Sequence, residues 1–68
     1  GTRAEADACQ LPYGTLVRCV SKGKEYVGTL RNSWFGIDLM FAVEFDGGRI
    51  RDFCFSIGDH VESYRDGN

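Results

Sequence analysis

Four side chains of this 68-residue chain could act as soft metal ligands or nucleophiles: Cys9, Cys19, Cys54 and His60. Zinc sites in proteins usually include at least one close pair such as C-x₂-C. Here only Cys54 and His60 lie near one another. A thiolate nucleophile also needs a base and donors for a developing oxyanion, and no motif around Cys54 and His60 supplies those donors. The expectation is no metal, no cofactor and no catalysis. Three cysteines at irregular spacing do not make a disulfide framework, and they read as reduced thiols of an intracellular protein.

Other residues are suited to contact rather than reaction. Arg49 and Arg51 are alternate residues of one stretch and share a strand face. With Arg18 nearby they would meet phosphate or an acidic peptide. The competing reading is a solvated face balanced by Glu44 and Asp52, with cross-strand pairs worth about 0.2–1 kcal/mol. Trp34 and Phe35 stand in a polar, Gly-containing segment, where large aromatics seldom sit without packing or binding. They form a recognition lip for a peptide or a base, or they cap the open end of a small core. Phe45 and Asp46 fall at the end of a hairpin. Gly47-Gly48 after them is no phosphate cradle, because it joins two strands and offers no helix N-terminus.

The elements that must hold these residues are short strands. Phe41–Phe45 and Arg49–Phe55 alternate around Gly47-Gly48, which can supply the two positive-φ residues of a type I′ turn. Thr15–Val20 and Glu25–Arg31 read as the first two strands, with Gly28 marking a bulge or sharp bend. Asn32–Asp38 reads as a loop, Leu39–Phe45 as strand three, and His60–Tyr64 as a short fifth strand after a tight turn. Residues 1–10 form a flexible lead or a short helical turn, 11–64 the folded unit and 65–68 a tail. The fold class that follows is all-β: a small five-stranded, strongly bent antiparallel barrel, closed so that its edges are hidden.

The bulk numbers agree with one small domain. The hydrophobic fraction of 43% suits a compact globule, and the net charge of −2 sets general nucleic-acid binding at a disadvantage, although a local basic face stays open. No apolar run is long enough to span a membrane.

Gly23-Lys24-Glu25-Tyr26-Val27-Gly28-Thr29-Leu30, followed by Phe41-Ala42-Val43-Glu44-Phe45-Asp46-Gly47-Gly48, resembles a Tudor domain, an SH3-like barrel, and is most similar to the Tudor domains of Polycomb-like chromatin readers. The likeness covers roughly residues 15–61. It implies a nuclear, non-catalytic reader that holds a methylated lysine or arginine in an aromatic cage. Tyr26 and Phe45 match two cage positions, with Asp46 as an acidic neighbour. The strand-one Trp position of the family falls on Val20, and the strand-four aromatic falls near Arg51, so the cage is incomplete. Trp34, Phe35 or Phe53 could complete it.

The function expected is therefore recognition of a peptide or protein partner, with a methylated histone tail as the ligand that the resemblance implies, at the barrel end near Tyr26, Trp34, Phe35, Phe45 and Asp46. Two alternatives stand beside it. One is a cage-less scaffold module docking a partner through Trp34 and Phe35. The other is an SH3-like or LSm-like barrel that binds RNA or DNA through Arg18, Arg49 and Arg51. No membrane partner is expected.

Overall fold

The computed structural model describes residues 2–65. Its elements run α1 (Arg3–Cys9), β1 (Leu16–Ser21), β2 (Lys24–Phe35), β3 (Leu39–Phe45), β4 (Arg49–Phe53) and β5 (His60–Ser63), with single 3₁₀ turns at Asp46–Gly48 and Phe55–Ile57. The five strands form one antiparallel sheet in the order β4-β3-β2-β1-β5. The all-β expectation holds. The closed barrel does not, because the sheet remains open between β4 and β5.

The bend comes from β2. Its first half, Lys24–Thr29, pairs with β1, and its second half, from Thr29 onward, pairs with β3. The two ladders meet at Thr29, which pairs with both Leu16 of β1 and Glu44 of β3. A Cβ on Gly28 would lie 2.6 Å from the Glu44 carbonyl oxygen and 2.7 Å from both Phe45 Cε1 and Val43 Cγ1. The glycine expected to mark a bulge instead permits close approach of backbone and ring. The bulge lies three residues on, where Leu30 pairs with Val43 but Asn32 with Ala42, leaving Arg31 as the extra residue.

Strand alternation builds the core. Val17, Cys19, Leu30, Phe41, Val43, Phe53 and Val61 come from all five strands, and each is at most 1% exposed. α1 completes it. Thr2 caps this helix by accepting from the Glu5 amide at 3.1 Å, and Ala8 packs into the core cluster. Of the two expectations for the leading residues, the helical turn is the one observed. Residue 1 and residues 66–68 of the expected tail lie outside the described residues.

The turn expected between Ser21 and Lys24 is present, whereas the β3–β4 turn differs from expectation. Phe45 pairs with Arg49, so the β3–β4 loop has three residues, Asp46, Gly47 and Gly48, rather than two. Both glycines do take positive φ, 85° and 78°. The two-residue loop with both φ positive, which is the type I′ signature, is Lys22-Gly23 between Ser21 and Lys24. Asn32–Phe35, expected to be loop, continues β2.

Candidate functional site

The register places Tyr26, Phe45, Phe53, Arg49 and Arg51 on the inner face of the sheet. Tyr26 stands opposite core residue Cys19, Arg51 opposite Val43, Phe53 opposite Phe41, and Arg49 opposite Phe45. Three of these side chains form a triangle of rings. Their centroids lie 6.0 Å apart for Tyr26 and Phe45, and 6.2 Å apart for Tyr26–Phe53 and Phe45–Phe53, with interplanar angles of 57°, 52° and 71°. Such tilted and edge-on pairs are the favoured arrangement of aromatic quadrupoles. Phe53 is fully buried, whereas Tyr26 and Phe45 are half-buried.

The cation that such rings attract is already present. Arg51 Cζ lies 4.8 Å from the Tyr26 centroid and 5.1 Å from the Phe53 centroid, and Arg51 Nη2 donates to Ser21 Oγ at 3.2 Å. Beside this stack, where β2 leaves β3, an open hollow of about 600 Å³ is bordered by Tyr26, Phe45, Asp46, Arg49 and Arg51, with Val27 and Ile50 contributing apolar surface. Val27 and Ile50 are both exposed.

The structure thus brings together Tyr26, Phe45, Asp46, Arg49 and Arg51, and of the three residues named as able to complete the ring set, Phe53 is the one that does. Other expected site residues lie elsewhere. Trp34 pairs with Met40 and Phe35 with Leu39, at the opposite end of the β2–β3 hairpin. Five residues of strand separate Met40 from Phe45, about 17 Å at ~3.4 Å per residue. Trp34 and Phe35 therefore do not complete the ring cluster. They do not act as a pair either, because successive residues on a strand point to opposite faces. Phe35 and neighbouring Ile37 are 78% and 97% exposed, so they do not cap the core.

Arg18 is likewise separated from Arg49 and Arg51. It lies on the outer face of β1, where it is ion-paired with Glu25 and, at 3.2 Å, with Glu62, which also meets His60 at 2.8 Å. Its charge is balanced within the sheet. The His60 contact, aided by Arg18, holds the Glu62 carboxyl below its ordinary value. A second hollow of about 500 Å³, between α1 and β5, is bordered by these paired groups.

The thiols carry no arranged chemistry. Cys19 and Cys54 are buried and Cys9 is exposed, all unbridged. Burial pushes the Cys19 thiol up to about 12. Cys54 Sγ lies 2.9 Å from Ser56 Oγ, and the Cys54 amide donates to buried Asp59 at 3.0 Å, which fixes the turn into β5. Among the described residues, no group of three or more His, Cys, Asp or Glu side chains is placed to hold a metal ion, and no helix is long and apolar enough to cross a membrane.

The sequence set Arg51 beside the Tyr26 and Phe45 cage positions but did not show the stacking of its guanidinium on Tyr26 and Phe53. The signal was present: alternation puts Arg51 and Phe53 on one face of β4, and a cation two residues from a ring on that face reaches it readily. Comparison with protein-family models, with characterised proteins and with solved structures returns no match.

Proposed function

We propose that this chain is a non-catalytic binding module that takes a peptide segment of a protein partner in the hollow beside Tyr26 and Phe45. The observation that carries the reading is the stack of Arg51 on Tyr26 and Phe53. It leaves a half-open hollow with apolar surface and charged groups at its border, whereas the cysteine and histidine side chains are buried, paired or scattered. Small sites of this kind bind with micromolar or weaker affinity, because little area is available to offset the loss of translational freedom.

The likeness of Tyr26, Gly28 and Phe45-Asp46 to the Tudor pattern supports a chromatin-associated partner. Within that reading, Arg51 argues for a scaffold-like binding mode over a standard methyl-lysine reader. A methylated ammonium must either displace the guanidinium or sit beside it, and like charges in a half-dry site repel. The test is an NMR titration of the ¹⁵N-labelled protein with methylated and unmethylated histone-tail peptides and with an acidic glutamate–leucine peptide. Saturable shifts at residues 26, 45, 49 and 51 are expected for peptides that bind. Shifts confined to residues 34 and 35, or none at all with any peptide, would refute the reading.

A further inference from the structure

The sheet sorts its charges by face. Every acidic residue within a strand, Glu25, Glu44, Asp52 and Glu62, falls on the outer face by the register, three of them in ion pairs with Arg18 or Arg31. The inner face carries the opposite set. Lys24, opposite Ser21, and Arg49 and Arg51 on β4 are its charged strand residues. Among the described residues, neither Arg49 nor Arg51 is ion-paired with a carboxylate. Asp46, on the loop, is the one acid among the described residues that borders the hollow.

Resting on the binding-module reading above, we infer that the occupant of this hollow is an acidic peptide segment, a carboxylate side chain flanked by an apolar one. Arg51 is the receptor. Stacking on Tyr26 and Phe53 and the bond to Ser21 Oγ fix its plane and use one of its five N–H donors, leaving the rest to meet a carboxylate with little further ordering. Arg49 borders the same hollow, and Phe45, Val27 and Ile50 supply the apolar surface. A nucleic acid fits less well. Binding a polyanion calls for a track of cations, and here three cations stand on a chain of net charge −2 with acids across its outer face.

The test uses fluorescence anisotropy, with ¹⁵N chemical shifts of the protein recorded for the same three labelled probes, at low salt: a hexapeptide alternating glutamate and leucine, a trimethyl-lysine peptide and a ten-nucleotide oligouridylate. The glutamate–leucine probe is expected to bind best and to weaken several-fold at about three times physiological salt. Arg49→Glu should cost it about tenfold, as expected for loss of a charge-assisted contact. Arg3→Glu, the same charge change on exposed α1, should cost less than twofold. Equal losses in the two variants, or oligouridylate binding as tightly as the peptide, would overturn the inference. If the trimethyl-lysine peptide alone binds and shifts residues 26 and 45, the acidic occupant is wrong and the binding surface stands. If no probe perturbs those residues, both fall.

Discussion

The guanidinium carbon of Arg51 sits 4.8 Å from the centre of the Tyr26 ring. A ligand cation in an aromatic cage would occupy the same kind of position, and here the chain fills it from its own β4 strand. Removing that cation should expose the rings. Arg51→Ala is expected to lower stability by about 1 kcal/mol, for the lost ring contacts and the Ser21 hydrogen bond, and to raise affinity for a trimethyl-lysine peptide above that of the parent. Urea denaturation and a peptide titration read the two effects. An unchanged affinity for the methylated peptide would mean that the rings cannot accept an external cation.

The ring cluster depends on a glycine outside it. A methyl group at Gly28 would collide with the Glu44 carbonyl and with Phe45. The carbonyl is backbone and cannot swing aside, so Gly28→Ala should destabilise the domain by roughly 1–3 kcal/mol. It should also displace the Phe45 ring from Tyr26. Thermal melting measures the first effect and aromatic NOEs the second. A variant of parental stability would show that β2 and β3 are less tightly apposed.

How much of this was legible follows from individual residues. Alternation from Phe41 to Phe45 and from Arg49 to Phe53 gave the faces correctly, because a half-buried strand cannot change register without inverting every side chain. The β3–β4 turn was visible in Gly47-Gly48, but its length was not, since Asp46 can either end a strand or open a three-residue loop. The short turn at Ser21–Lys24 was visible from Gly23, but its I′ type was not, because lysine seldom takes positive φ. Trp34 and Phe35 looked like loop residues because Asn32, Ser33 and Gly36 surround them, yet cross-strand pairing with Met40 and Leu39 outweighs that local polarity. The ring triangle needed three strands to meet, which no local pattern encodes.

The cysteines give a direct probe of the core. Cys9 is exposed, whereas Cys19 is fully buried with a thiol pushed up to about 12 by desolvation, and Cys54 is 3% exposed. Under native conditions at pH 8, iodoacetamide should label Cys9 first, and Cys19 and Cys54 only as fast as the domain opens. Mass spectrometry of the time course reads this. Cys19 labelling at the rate of Cys9 would contradict the buried core.

The outer face should appear in the pH dependence. The carboxyl of Glu62 lies below its ordinary value of 4.5, first because of the His60 hydrogen bond, with Arg18 assisting. A carboxyl depressed in the folded state adds stability above its unfolded value, and that stability is lost as pH falls through the folded one. Glu62→Gln should therefore flatten the acid limb of the stability curve below about pH 4.5. Both side chains are well exposed, so the effect is small and should shrink in high salt. An acid limb identical to the parent would remove Glu62 from the account.

The central claim is that the ring cluster holds the chain's own cation, and the chemical shifts of the Arg51 side chain test it most directly. If the guanidinium lies over Tyr26 and Phe53, the Arg51 δ and ε protons will be moved upfield by the ring currents and will give NOEs to both rings. Arg51 resonances at the values of a free arginine, without those NOEs, would contradict it.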